Sequence, residues 1–189
     1  MKGSSVKKFK VYKMNKKTAA YFDKIDEKLQ QLLNNLQQYS DEELNRKPTP
    51  ESWSVLQVMH HLMLAENLSG KYVQKKLSFN PKLKDTNLGT AWRMLVLRSY
   101  NYLPLKLKAP KNVGSENLPE TSGIKETAEK WLAQRRELRA YLSTLPEEIF
   151  KKEVYKHPFA GRLSLDGMLR FFEGHFDRHR KQIDRILEI

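Results

Sequence analysis

Residues 164–187 read SLDGMLRFFEGHFDRHRKQIDRIL, and this stretch decides the fold. When successive residues are placed about 100° apart around a helix axis, most of the charged residues fall on the side opposite a largely apolar sector. The residues that share one narrow sector are Met168, Phe172, His175, His179, Gln182 and Ile186. The charged residues on the opposite side are Arg170, Glu173, Asp177, Arg180 and Asp184. The pattern predicts an amphipathic helix from about Ser164 to Leu187 that turns two histidines and a glutamine toward the interior.

Three earlier stretches also carry apolar residues at alternating spacings of three and four, which is typical of helices. The first predicted helix runs from about Thr18 to Gln38, and the second opens near Trp53 and continues to about Leu77. The third should run from about Thr121, a candidate N-cap, to Leu142. Each has one apolar stripe, so all four helices are expected to pack around a common core.

A long crossover separates the second and third predicted helices. Residues 79–122 are interrupted by prolines and glycines, with a short apolar stretch, Ala91 to Tyr102, that could be helical. Four long helices with one long crossover predict an all-α four-helix bundle. We assign this domain to residues 18–189 and a basic N-terminal arm to residues 1–17.

The composition excludes several kinds of chemistry. The chain of 189 residues has no cysteine, so disulfides, thiolate metal sites and a cysteine nucleophile are ruled out, and any metal must bind to nitrogen or oxygen. The N-terminus lacks the apolar stretch of a secretory signal, and no run approaches the roughly 18 apolar residues of a membrane span. We therefore expect a soluble, cytoplasmic protein with no membrane partner.

The net charge of +13 raises the question of nucleic-acid binding. Residues 1–17 contribute +7 and residues 71–111 contribute +9, while the rest of the chain sums to −3. No predicted helix face shows the concentrated basic stripe of a groove reader. Nucleic acid is therefore not the expected partner, and a basic scaffold for nucleic acid is only the third alternative.

The histidines carry the candidate chemistry. His175 and His179 lie four residues apart on one helix face, where both imidazoles can reach one metal ion at about 2.0–2.1 Å. Such a pair can equally be a hydrogen-bonded feature of the core. His61 also faces an apolar stripe, and three buried imidazoles are costly without a common purpose. His60 points about 100° away from His61 and is interpreted as a packing or surface residue.

The residue types also limit the kind of metal site. A di-iron bundle needs inward glutamates and Glu-x-x-His pairs, and this sequence has no Glu-x-x-His. Three neutral histidines leave at least one coordination position open, which is the pattern of catalytic rather than structural sites. The predicted ligands of one divalent ion are therefore His61, His175 and His179.

Three further residues are pocket candidates. Gln182, one turn beyond His179, could orient a ligand or line the pocket, or it could be a polar residue at the end of the bundle. Arg135 lies on an apolar stripe, where it either extends along the helix edge to solvent or binds an anion in a pocket. His157, before Pro158, is expected in a loop, with either a structural role or a place at the pocket mouth.

Three stretches of this sequence resemble the DinB-like superfamily, which includes YfiT-type metal-dependent hydrolases and thiol transferases. They are Trp53-Ser54 leading to His61-Leu62 and Glu66, the pair His157-Pro158 with Gly161, and residues 174–179 followed by Gln182-Ile183. The resemblance implies an up-down-down-up four-helix bundle, a nickel or zinc ion on the three matching histidines, and often a homodimer. Activities within the family range from transfer of low-molecular-weight thiols, such as bacillithiol, to isomerisation and hydrolysis.

We therefore expect a metal-dependent enzyme that activates water or a low-molecular-weight thiol for a small-molecule substrate, as a hydrolase or a thiol transferase. The sequence indicates no second general acid or base, so the catalytic residues beyond the ligands are unknown. A thiol brings its own acidic group, which favours transfer over hydrolysis. The alternative is a bundle that binds metal or a small ligand without turnover.

Overall fold

The structure, a computed structural model, describes residue 14, residues 16–102 and residues 109–188, and these are mostly helical. The helices in these ranges are α1 (Lys16–Leu36), α2 (Asp41–Asn45), α3 (Val55–Ser78), α4 (Leu88–Tyr102), α5 (Ile124–Leu142) and α6 (Leu165–Leu187). Three 3₁₀ turns span Lys111–Val113, Ser115–Asn117 and Glu147–Lys151. Two short strands, β1 (Glu153–His157) and β2 (Gly161–Ser164), precede α6.

The four long helices are those that the apolar periodicity predicts. Each of α1, α3, α5 and α6 begins and ends within three residues of its expected position. Helix α6 packs against α1 and α3, and α3 packs against α5. Their apolar stripes meet in a core that includes Leu29, Leu32, Met59, Trp131 and Phe176, all fully buried or nearly so. The up-down-down-up order of the helices remains a prediction.

Serine caps begin the two helices that carry the candidate ligands. The Ser54 hydroxyl accepts a hydrogen bond from the Gln57 backbone N–H at 3.2 Å, and the Gln57 side chain accepts one from the Ser54 N–H. At the start of α6, the Ser164 hydroxyl accepts from the Gly167 N–H at 3.0 Å. These caps satisfy backbone N–H groups that no carbonyl of the helix reaches, and so they fix the residue at which each helix begins. The start of α3 in turn determines where His61 lies on that helix, and the start of α6 does the same for His175 and His179.

The start of α5 differs from the prediction. The helix begins at Ile124 rather than near Thr121, and its N-cap, Gly123, has no side chain to act as a cap. The cap comes instead from α2, where an Asp41 carboxylate oxygen accepts from the Ile124 N–H at 2.8 Å. A carboxylate at a helix N-terminus is also favoured by the helix dipole. The sequence signal at Thr121 was misleading because the capping group is distant in the chain.

The described residues are mostly helical, as predicted, and the one addition to the helices is a short antiparallel hairpin between α5 and α6 that the sequence did not predict. Strands β1 and β2 pair with His157 opposite Gly161, and Gly161 adopts φ 76°, a conformation that favours glycine. His157 therefore ends a strand instead of lying in a loop. The stretch Ala91 to Tyr102 is helical within α4, as anticipated for the crossover.

The predicted N-terminal arm lies mostly outside the described residues. Helix α1 starts at Lys16, inside the range assigned to the arm, so the boundary at residue 18 stays a prediction. Among the described residues, none of the helices combines the length and apolar character needed to cross a bilayer.

Candidate metal centre

The structure brings His61 of α3 together with His175 and His179 of α6. The Nε2 atom of His175 lies 3.3 Å from Nε2 of His61 and 3.1 Å from Nε2 of His179. One ring nitrogen from each of the three residues lies within 4.8 Å of the others. His61 is only 4% exposed, and the other two are partly buried. The two helices thus direct three imidazoles at a common point.

Hydrogen bonds at the rear of two rings determine which nitrogen faces that point. Nδ1 of His61 lies 2.8 Å from the backbone carbonyl oxygen of Val113, and Nδ1 of His179 lies 2.8 Å from Oε1 of Gln182. Because an oxygen of this kind only accepts, both Nδ1 atoms must donate their proton. The Nε2 atoms of His61 and His179 are therefore unprotonated and present lone pairs to the centre of the cluster.

This arrangement fits a bound cation. Nε2 of His175 carries at most one proton and can donate it to only one of its two neighbours. At least one pair of buried ring nitrogens therefore faces each other with no proton between them. Two nitrogen ligands at about 2.0–2.1 Å from a tetrahedral ion are about 3.3 Å apart, close to the separations found here. Three neutral nitrogen donors suit zinc, nickel, copper and iron alike. The His61, His175 and His179 group can therefore hold a divalent metal ion.

The environment keeps all three imidazoles neutral at physiological pH. Burial lowers the pKa of His61 below its ordinary value. Burial and then the neighbouring His61 lower the pKa of His179 to about 3, and burial with both neighbouring imidazoles holds the pKa of His175 well below its usual range. Since metal ligation requires the unprotonated ring, the protein presents the ligands in the form that binds.

Aromatic rings and a segment of the crossover enclose the cluster. The Trp53 ring lies 4.8 Å from the His61 ring, and Phe171 stacks on His175 with a centroid distance of 5.0 Å and an interplanar angle of 21°. The indole N–H of Trp53 donates to the Ser115 hydroxyl at 3.0 Å. The crossover thus holds both the Trp53 ring and, through Val113, the His61 ring.

Most of the chain is similar to one known protein family. Residues 21–183 match the DinB superfamily. The chain belongs to the DinB superfamily. It is 28% identical over 158 residues to the uncharacterized protein YuaE of Bacillus subtilis (strain 168), an alignment that covers 82% of this chain and 90% of YuaE. No solved structure matches the chain significantly.

Gln182 of this DinB superfamily protein contacts a candidate metal ligand. Its carbonyl oxygen accepts from Nδ1 of His179, three residues earlier on α6. A partner behind a metal-binding imidazole fixes the ring orientation and raises the basicity of the nitrogen that faces the metal. Of the two interpretations from the sequence, the contact favours orientation of a ligand.

Arg135 departs from the expectation of a side chain that extends to solvent. Its guanidinium is 4% exposed and donates two hydrogen bonds to the Glu66 carboxylate, at 2.7 and 2.9 Å. It also donates to the Ile25 carbonyl at 2.7 Å, and Glu66 accepts a further bond from the Trp131 indole at 2.9 Å. Because these bonds occupy the Arg135 guanidinium within the core, it is not left to bind an anionic ligand in a pocket. The sequence placed Arg135 on an apolar stripe, but it did not identify Glu66 as its partner.

His157 has a structural role in the hairpin. Its Nδ1 accepts hydrogen bonds from the backbone N–H groups of Phe159 and Ala160, at 3.2 and 3.1 Å. Its ring meets the Phe171 ring edge-on at 4.4 Å, and Phe171 in turn stacks on His175. His157 therefore shapes the turn and supports the aromatic rings beside the three-histidine cluster.

Because of His157, the stability of the fold should decrease as the pH is lowered. Burial lowers its pKa to about 4, so protonation favours the unfolded chain, whose imidazole has a pKa of about 6.5. The contribution is complete above pH 6.5 and is lost as the pH falls toward 4, by up to about 3 kcal/mol. His157→Asn keeps an acceptor for the turn but does not titrate. Urea unfolding of both proteins should show diverging free energies between pH 7 and pH 4, whereas parallel profiles would contradict this role.

Proposed function

We propose that this protein is a metal-dependent enzyme in which His61, His175 and His179 hold one nickel or zinc ion that activates water or a low-molecular-weight thiol. The observation that carries the proposal is the convergence of three Nε2 atoms, two of which, those of His61 and His179, are left unprotonated because Nδ1 donates to Val113 or to Gln182. A bound divalent ion lowers the pKa of a coordinated water or thiol and so supplies a nucleophile near neutral pH. The expected substrate is a small molecule, and the expected location is the cytoplasm.

The protein residues prepare the site for this chemistry. Three neutral imidazoles leave the charge of the ion uncompensated, and the Val113 carbonyl and the Gln182 amide orient two of the rings. Trp53 and Phe171 reduce the access of water to His61 and His175, which strengthens electrostatic effects at the centre.

The surroundings favour a thiol over water as the activated group. Glu66 lies only five residues beyond His61, but both of its carboxylate oxygens accept bonds from Arg135, and one also accepts from Trp131. This carboxylate is therefore not available as a general base for hydrolysis. A thiol needs less help because its own pKa is far closer to neutrality than that of water. Transfer of a low-molecular-weight thiol is the function that the site supports best.

Cobalt substitution tests the proposal directly. We expect cobalt-loaded protein to gain a thiolate-to-cobalt charge-transfer band on addition of bacillithiol or cysteine, and to transfer the thiol to an added electrophile. The matched control is His179→Ala, which should show neither response. A metal-loaded protein that shows no thiol band but hydrolyses esters or amides would support water activation instead. Metal loading without turnover of either kind would support the alternative, a non-catalytic metal- or small-ligand-binding bundle.

A further inference from the structure

The outer side of helix α4 exposes four large apolar residues. Leu88 is 90% exposed, Trp92 65%, Leu95 53% and Val96 50%. When successive residues are placed about 100° apart, these four fall within one sector, opposite the side on which Leu97 is buried. We call these four residues the α4 outer face. A contiguous apolar patch with a polar rim is typical of a surface that binds a protein or a membrane.

The elements beside α4 surround this face with positive charge. The segment before α4 runs along β1, where the Glu153 N–H donates to the Lys84 carbonyl at 2.9 Å, and Arg93 of α4 donates to the Arg162 carbonyl of β2 at 3.0 Å. The exposed basic residues of α4 and of these neighbouring segments, which we call the basic rim, are Lys82, Lys84, Arg98, Lys151, Lys156 and Arg162.

The acidic residues of the same segments do not neutralise the basic rim. Residues 71–111 contain one acid, Asp85, and its carboxylate is bound to Lys152 at 2.6 Å. The hairpin also contains one acid, Glu153, which is buried and bound to Arg93 at 2.6 Å. Because both carboxylates are paired with other cations, the rim keeps an excess of positive charge that attracts anions.

The basic N-terminal arm is attached close to α4. The Thr18 hydroxyl, near the start of α1, donates to the Asp166 carboxylate at 3.1 Å, and Met94 of α4 lies against the next residue, Gly167. Residues 1–13, which lie outside the described residues, contain five lysines and no acid. Their charge therefore joins the chain at the same end of α6 as the α4 outer face.

We propose that the α4 outer face and the basic rim bind the surface of an anionic lipid bilayer. A helix of this kind lies in the plane of the interface, with its apolar side inserted about 5–10 Å and cationic side chains against the headgroups. Tryptophan is favoured at this depth, because its ring is apolar and its N–H is polar. Three of the four apolar residues are aliphatic and offer no ring on which bases could stack, so the face suits acyl chains rather than single-stranded nucleic acid.

Binding to a bilayer surface requires no membrane-spanning helix. The expectation of no membrane partner rested on the lack of a secretory signal and of a spanning run, and neither feature concerns a helix that lies on the surface. The proposal is also independent of the three-histidine centre, because the α4 outer face contributes none of its candidate ligands.

Co-sedimentation of the full chain with lipid vesicles tests the proposal. Wild type should bind vesicles of equal parts phosphatidylglycerol and phosphatidylcholine at least about tenfold more tightly than pure phosphatidylcholine, and added salt should weaken the binding. Trp92→Ser/Leu95→Ser should weaken binding to the anionic vesicles at least about tenfold, because two inserted apolar side chains are lost.

A charge-matched pair of double variants separates the basic rim from net charge. Lys156→Gln/Arg162→Gln removes two exposed charges from the hairpin and should weaken binding about tenfold. Lys181→Gln/Arg185→Gln removes two exposed charges from α6, starting roughly 20 Å along the helix from Gly167, and should bind as wild type does. Circular dichroism verifies that each variant is folded.

The fluorescence of Trp92 measures insertion directly. Anionic vesicles should shift the emission of wild type to shorter wavelength, and the shift should be absent in Trp92→Phe, which keeps an aromatic ring and should still bind.

Three results would overturn the proposal: equal binding of wild type to the two kinds of vesicle, unweakened binding of Trp92→Ser/Leu95→Ser, or unchanged Trp92 emission in the bound protein. The proposal is also overturned if the emission shifts equally when the protein is concentrated without lipid, which would identify another protein copy as the occupant of the face.

Discussion

Replacing His175 by alanine should reduce the metal content of the protein from about one equivalent to none, because this imidazole lies between the other two ligands. Loss of a ligand should weaken binding by more than the roughly 10–100-fold that follows loss of a partner behind a ligand. Gln182→Leu should fall within that smaller range. Plasma mass spectrometry on tag-free protein, with a competition titration for affinity, measures both effects.

The control for the metal measurement is the neighbouring histidine. His60 is half-buried, and its Nε2 lies 3.0 Å from the Ser122 hydroxyl, away from the three-histidine cluster. His60→Ala should therefore retain the metal. If wild type binds no ion even after reconstitution with nickel or zinc, or if His175→Ala keeps its ion, the three-histidine centre is disproved.

Breaking the Arg135–Glu66 pair should be the most destabilising change away from the metal centre. Glu66→Gln removes the buried carboxylate that pairs with Arg135 and leaves only the longer ionic contact with the partly exposed Asp26 at 3.4 Å. Loss of one member of a buried ion pair typically costs about 3–5 kcal/mol. Equilibrium unfolding in urea measures the difference. Metal content should be unchanged, because neither residue contacts the three histidines in the described structure.

A double variant separates burial of charge from loss of packing. Glu66→Leu/Arg135→Met removes both charges and should recover much of the stability lost in Glu66→Gln, although the Trp131 N–H then loses its acceptor. The control is Glu126→Gln, which breaks the exposed pair with Lys130 and should change stability little. If Glu66→Gln unfolds at the same urea concentration as wild type, the buried pair does not stabilise the fold.

The long helices and the ligand set were predictable because both depend on local periodicity. Rotation along α6 directs His175 and His179 inward, and the stripe of α3 selects His61 over His60, without any knowledge of tertiary contacts. The hairpin was missed because β1 and β2 have only four or five residues each, which is too few to show the alternation of a strand. The His157-Pro158 pair at the end of β1 indicated a loop instead. The start of α5 was misplaced because its cap, Asp41, comes from another helix.

The sequence by itself determined the helical class, the superfamily and the three histidines, because each depends on short motifs or on the spacing of residues within one helix. Only the tertiary structure decided what those residues touch. The Val113 carbonyl that orients His61 lies 52 residues away, and the Glu66 carboxylate that neutralises Arg135 lies 69 residues away. Contacts at such separations depend on how helices and the crossover pack, and no single helix period encodes them. Among the described residues, tertiary packing likewise buried Leu97 of α4 and left Trp92 exposed.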